Sequence, residues 1–199
     1  MTGKRNIAVM ASGAGTTFNN LARLSNKGIV NFGITTLLTN KPQARCVDVA
    51  INHEIQTIIV TPENVWSLIP ENTDLLVLAG FLKLLTVPIE WTGRVLNIHP
   101  SLLPKYGGKG FYGIKVHEAV MEAGEAESGC TVHLVDNSYD TGRILKQEKI
   151  SIKRFDTPHT LQQRIQSVER ELYPKVIDWY LLGLYEEQDK IDISGWSGL

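Results

Sequence analysis

Six residues, Asp74-Leu-Leu-Val-Leu-Ala79, constrain the fold of this chain more than any other stretch. After the aspartate the run is wholly apolar and too short for an ordinary helix, so it reads as a strand covered on both faces. Such a strand belongs inside a mostly parallel sheet, away from its solvent-facing edges. The flanking sequence supplies its neighbours. Residues 6–11 form a short branched apolar run closed by Ser12 and Gly13, and Phe18, Leu21, Ala22 and Leu24 then fall at helical spacing. Strands are expected at 34–39 and 56–60, with helical spacing over 44–51 between them. A short helix around 87–91 precedes a further strand from Val95 that ends at Pro100. This alternation predicts an α/β fold: an open, mostly parallel twisted sheet with helices on both faces.

The second half departs from the alternation. After a loop at 104–113 and a helix at 116–123, strands are expected at 129–135 and 143–152. The polar turn joining them is so short that they must be antiparallel. From 157 to 182, Leu161, Ile165, Val168, Leu172, Val176, Ile177 and Tyr180 keep helical register. Asp156 or Thr157 is placed to cap that helix, Pro158 suits its first turn, and Pro174 is expected to bend or interrupt it. The tail 184–199 is left without an assignment.

A hydrophobic share of 43% is enough for a sizeable core in one domain. Twenty Lys and Arg against 21 Asp and Glu leave no global field that would mark the chain for nucleic acid or a membrane. No apolar run approaches the roughly 20 residues of a membrane helix. The start, Met-Thr-Gly-Lys-Arg, carries no signal peptide, so a cytoplasmic protein is expected. Cys46 and Cys130 lack any metal-ligand spacing, so no metal is expected and both read as free buried thiols.

Three loops carry the chemistry. Ser12-Gly-Ala-Gly-Thr-Thr17 follows a strand and opens a helix, where backbone N–H groups and the helix dipole suit a phosphate. No Lys follows as in a Walker loop. Phe18 stands where a dinucleotide fingerprint needs its third glycine, and the second strand ends at Asn40, not at an acid. A mononucleotide or sugar phosphate is therefore the expected ligand of Gly13, Gly15, Thr16 and Thr17. In Val95-Leu-Asn-Ile-His99, alternation sends Asn97 and His99 to one face of a strand end. The turn Asp136-Asn-Ser-Tyr-Asp140-Thr-Gly142 would orient His99 and favour its charged form if Asp140 folds back onto it. The glycine-rich loop 104–113, with two lysines and three aromatic residues, reads as a mobile lid in preference to a nucleic-acid-binding tip. Gln166 and Glu169 share a helix face, for which solvent exposure is the usual reason.

Asn97-Ile-His99-Pro-Ser-Leu-Leu-Pro104, followed by Gly129-Cys-Thr-Val-His133 and then by Asp140-Thr-Gly142, resembles the folate-dependent formyltransferases from about residue 7 to about residue 182. The resemblance implies a catalytic triad of Asn97, His99 and Asp140. The chain length and the glycine turn point to the branch that formylates the amine of 5′-phosphoribosylglycinamide in purine synthesis, with 10-formyltetrahydrofolate as cosubstrate and no metal. It implies one domain over 1–199, with a phosphate-binding part to about 95 and a folate-binding and catalytic part at about 96–183. By the same match Gly15, Thr16 and Thr17 hold the phosphate, and Gln166 and Glu169 contact the ribonucleotide. Leu82, Lys83, Leu84 and Leu85 wall the folate site, which Asn97, Val135, Asp136, Tyr139 and Asp140 complete. The implied partners are these two small molecules, in a monomer or homodimer. The alternatives are a formyltetrahydrofolate deformylase, which usually carries an extra amino-terminal domain, another folate-dependent formyltransferase, and a phosphate sensor without turnover. Two departures stand out: the loop 107–113 is longer and richer in glycine than the common form, and the tail after Leu182 is short.

Overall fold

The computed structural model describes residues 4–183. Its elements are β1 (Arg5–Met10), α1 (Thr16–Asn26), β2 (Phe32–Thr39), α2 (Arg45–Asn52), β3 (Gln56–Ile59), α3 (Val65–Leu68), β4 (Leu75–Leu78), β5 (Val95–His99), α4 (Ile114–Glu122), β6 (Glu127–Leu134), β7 (Ile144–Ser151) and α5 (Pro158–Leu181). The strands form one sheet in the order β3-β2-β1-β4-β5-β6-β7. β1 to β5 run parallel, and β6 and β7 pair antiparallel. The unbroken apolar run is β4, buried at every residue between β1 and β5.

Period-two alternation divides the strand residues between two cores. Ile7, Val9, Val77, Leu96 and Ile98 face α1, α2, α4 and α5. Ala8, Met10, Leu38, Leu76 and Val95 face the other way, against Val65 of α3 and the irregular residues Phe81, Leu85 and Val87. The expected helices on both faces are therefore unequal. Among the described residues the second face has only the one-turn α3, whose length hides it from periodicity, and a 3-10 turn at Ile89–Trp91 where a short helix is expected at 87–91. Irregular chain covers the rest, and it leaves room for a cavity. No helix among the described residues is long and apolar enough to cross a membrane.

Pro174 does not interrupt α5, which continues seven residues beyond it. A proline there cannot supply the N–H that the Arg170 carbonyl would accept. Asn20 of α1 supplies it, donating from Nδ2 to the Arg170 carbonyl at 2.8 Å. Thr157 is the N-cap, closed by a reciprocal capping box with Thr160. The tail expected to be without assignment, 184–199, lies outside the described residues.

Candidate active site

Val95 faces the second core, so Asn97 and His99 leave β5 on that same side, at the carboxyl end of the parallel strands. β6 sets His133 directly across from Asn97 and Thr131 across from His99. The turn 136–142 then has to fold back sharply. Asp136 accepts from the Ser138 N–H and the Thr141 hydroxyl, each at 2.9 Å, and Leu134 N–H bonds the Arg143 carbonyl. A side chain at Gly142 would run into the Leu134 carbonyl. Asp140 takes a left-handed backbone, φ 57, at the end of this turn.

Its carboxylate lands between two imidazoles. Oδ2 lies 3.5 Å from His99 Nδ1 and accepts the Gly108 N–H at 2.9 Å. Oδ1 lies 3.6 Å from His133 Nε2 and accepts from Asn97 Nδ2 at 3.5 Å. Asn97 Nδ2 also approaches His133 Nε2 at 3.1 Å, and His133 Nδ1 bonds the Leu134 carbonyl at 2.8 Å. A carbonyl only accepts, so Nδ1 of His133 carries a proton. Nothing in the sequence alone marks His133 as a member of this cluster. Its position two residues beyond Thr131 on one strand becomes informative only once the register with β5 is known.

His99 is 4% exposed, and both of its ring nitrogens face oxygen. Nε2 lies 2.8 Å from the Tyr106 carbonyl and Nδ1 faces Asp140. Two acceptors call for an imidazolium, yet burial pulls the other way and is the stronger influence. It takes the His99 pKa below its ordinary 6.5, with His133 adding to the fall and Asp140 and the Tyr106 carbonyl resisting it. Burial would likewise raise the Asp140 carboxyl, but His133, His99 and the Gly108 N–H outweigh it and hold Asp140 below the usual carboxylate range. The carboxylate, with three donors around it, is the fixed charge, and the His99 proton is the exchangeable one.

A cavity of about 740 Å³ opens over this cluster. Asn97, Leu82, Lys83, Leu84, Leu85, Val135, Tyr139 and Asp140 line it together, as do His133, the Gly108–Tyr112 stretch and the strand-end residues Ser12, Asn40 and Lys41. Tyr139 hydroxyl accepts the Leu84 N–H at 3.1 Å, tying the two walls. Asp136 is outside the lining because its carboxylate is spent closing its own turn.

The glycine turn reaches this cavity only through Ser12. Gly15 is the N-cap of α1 in left-handed conformation, φ 72, with no side chain capping the first N–H groups. A Cβ there would meet Cys46 Cα at 2.8 Å, so close packing on α2 is itself a reason for this glycine. Thr16 opens instead onto a groove shared with Asn19, Arg23, Ser167 and Arg170, while Gly13 is exposed and Thr17 half-buried. Gln166 is half-buried and Glu169 is 8% exposed, and neither lines the main cavity. Glu169 is not on a solvated face: burial raises its pKa to about 7. It sits one turn before Tyr173, whose hydroxyl bonds the Leu78 and Leu96 carbonyls beneath the site. No group of side chains among the described residues has the make-up to hold a metal ion.

The family model described as formyl transferase matches residues 5–177. The phosphoribosylglycinamide formyltransferase, chloroplastic, of Arabidopsis thaliana is 37% identical over 188 residues, which are 87% of this chain and 64% of that protein. Its namesake in Vigna unguiculata is 38% identical, covering 88% of this chain and 60% of the relative. The chain thus spans less than two thirds of the length of these curated relatives. Among solved structures, phosphoribosylglycinamide formyltransferase from Bacillus halodurans superposes with a TM-score of 0.78 at 32% identity, over 94% of this chain and 97% of that one. The Coxiella burnetii enzyme of the same name, in complex with CHES, gives 0.82 at 33% identity over 90% and 88%.

Proposed function

The chain belongs to the formyl transferase family, and we propose that it passes a formyl group from 10-formyltetrahydrofolate to the amine of 5′-phosphoribosylglycinamide. The observation that carries this reading is the approach of Asp140 to His99 at 3.5 Å, with Asn97 beside them in the wall of a largely apolar cavity. The names of the relatives supply the acceptor and the group transferred, and the folate donor rests on the sequence resemblance. The flat pterin of the donor would lie against Leu82, Leu84, Leu85 and Val135, with the backbone near Tyr139 and Asp140 at its edge. The uncapped start of α1 offers N–H donors to the phosphate of the acceptor, with Thr16 and Thr17 adjoining. Glu169 and Gln166 would meet its sugar from α5.

In the reaction the acceptor nitrogen attacks the formyl carbon. A new C–N bond forms, and the formyl oxygen gains the negative charge of a tetrahedral centre. Asn97 Nδ2 and His99 Nε2 would donate to that oxygen, which replaces the Tyr106 carbonyl as the partner of Nε2. A donor of this kind is worth roughly 3–4 kcal/mol to the transition state. Asp140 keeps the imidazole oriented and favours its charged form at the moment of attack. It then helps the amine proton reach the folate nitrogen as the old C–N bond breaks. The site works by position and charge, with no residue acylated.

Mass analysis of the products tests the reading. The ribonucleotide should gain one formyl group for each donor consumed. Free formate in place of the formylated ribonucleotide would make the chain a hydrolase and overturn the proposal.

A further inference from the structure

His99 stands between two acceptors that compete for its proton. The Asp140 carboxylate lies 3.5 Å from Nδ1, and the Tyr106 carbonyl lies 2.8 Å from Nε2. A neutral imidazole has one N–H, so only one of the two can be served. The carboxylate is the stronger acceptor, and alone it would draw the proton to Nδ1. Nε2 would then be a bare lone pair, unable to donate to the formyl oxygen. The carbonyl prevails only if it is held close, and the chain around Tyr106 is built to hold it. Tyr106 has a left-handed backbone, φ 56, which a bulky residue keeps only where its surroundings fix it. Just before it, the Ser101 hydroxyl donates to the Lys105 carbonyl at 2.6 Å. Just after it, a side chain on Gly107 would run into Leu103 and press on Asp140 Cβ at 3.2 Å. The tyrosine ring carries the anchor away from the cavity. Its hydroxyl donates to Glu125 Oε1 at 2.9 Å, and Lys105 Nζ reaches the same oxygen at 2.8 Å.

Glu125 lies between α4 and β6, outside the cavity lining, and no step of the proposed reaction uses it. Lys105 and the Tyr106 hydroxyl hold its carboxyl below the usual carboxylate range, so it is the charged end of the relay, and a charged acceptor grips a phenol more firmly than a neutral one. We infer that Glu125 is a positioning residue for His99: through the Tyr106 hydroxyl it pins the Tyr106 carbonyl on Nε2, so that the neutral imidazole keeps its proton on the nitrogen that faces the formyl oxygen. Two hydrogen bonds in series carry the effect. Asp140, His133 and His117 are the titratable groups whose fields meet at the ring, and none of them touches Glu125. The consequence for rate rests on the reaction proposed above, whereas the placement of the proton does not.

Nitrogen-15 NMR of the histidine rings at pH 8, where His99 is neutral, reads the tautomer in the ligand-free protein, with the His99 signal identified by its loss in His99→Gln. The native ring should carry its proton on Nε2. Tyr106→Phe removes the hydroxyl but keeps the ring and the carbonyl, and it should shift the proton toward Nδ1. Glu125→Ala should shift it as far, and the double variant no further, because both cut one relay. Glu125→Gln keeps an oxygen for the phenol and should restore most of the Nε2–H form. In turnover, Tyr106→Phe and Glu125→Ala should each lower kcat about tenfold, the weight of one weakened hydrogen bond, with KM for the ribonucleotide unchanged. A native ring protonated on Nδ1, or an Nε2–H ring that persists in both single variants, overturns the inference, as does a loss carried by KM alone. Native protein that shows the Glu125-dependent tautomer yet never formylates the ribonucleotide would instead refute the proposed reaction and leave the positioning role standing.

Discussion

His117 stands in the field of His99, and burial depresses both imidazoles. For His117, 1% exposed and with no partner for Nδ1 among the described residues, the fall is from 6.5 to about 4. The sign of the effect on stability is fixed by proton uptake. Between pH 6.5 and 4 the unfolded chain binds a proton that the folded one refuses, so stability falls as pH drops through that window. The full depression corresponds to about 3 kcal/mol at pH 4. His117→Leu should remove this component, so denaturant unfolding at pH 7 and pH 4 should show a smaller acid loss in the variant by about that amount. Equal losses would place the acid sensitivity elsewhere. At this scale alternation places Asn97 and His99 on one face of a strand end, and the family resemblance joins Asp140 to them; the structure brings the three side chains together. The sequence conceals His133 and the Tyr106 carbonyl. A histidine in mid-strand is an ordinary core residue until a register is known, and a backbone carbonyl has no signature in the sequence.

Among the elements, α5 shows how one helix repairs another. Pro174 leaves the Arg170 carbonyl without its N–H, and Asn20, 9% exposed on α1, fills the gap. Asn20→Ala should cost about 1–2 kcal/mol, the usual penalty of a buried acceptor left unsatisfied. With Pro174→Ala in the background, the new backbone N–H can take the same carbonyl, and the cost of Asn20→Ala should fall by about half or more. Chemical denaturation of the four proteins in the cycle checks this, and additive losses would show that Asn20 matters for another reason. Proline within a helical pattern reads in sequence as a break because the replacement donor sits 150 residues from the carbonyl it serves. The longer strands and helices were legible because their periods are strong. The single turn α3 and the 3-10 turn were too short to establish one.

For the molecule as a whole, the unbroken run of β4 foretold a parallel sheet, and the crevice beside it is where ligands gather in such sheets. What the sequence left open was closure: whether the turn after β6 would carry Asp140 to His99. It does so although β6, antiparallel to β5, carries the chain toward the amino end of that strand: the turn 136–142 folds back on itself and returns Asp140 to His99. The second core, clad by irregular chain, leaves the cavity above that meeting point. Turnover of Asp140→Asn tests the resulting account most directly. With saturating ribonucleotide and 10-formyltetrahydrofolate, the variant should stay folded and bind both ligands, while release of deformylated folate slows by about three orders of magnitude, on the scale of losing a charge that holds a catalytic histidine. A variant that folds normally and turns over near the native rate would contradict it.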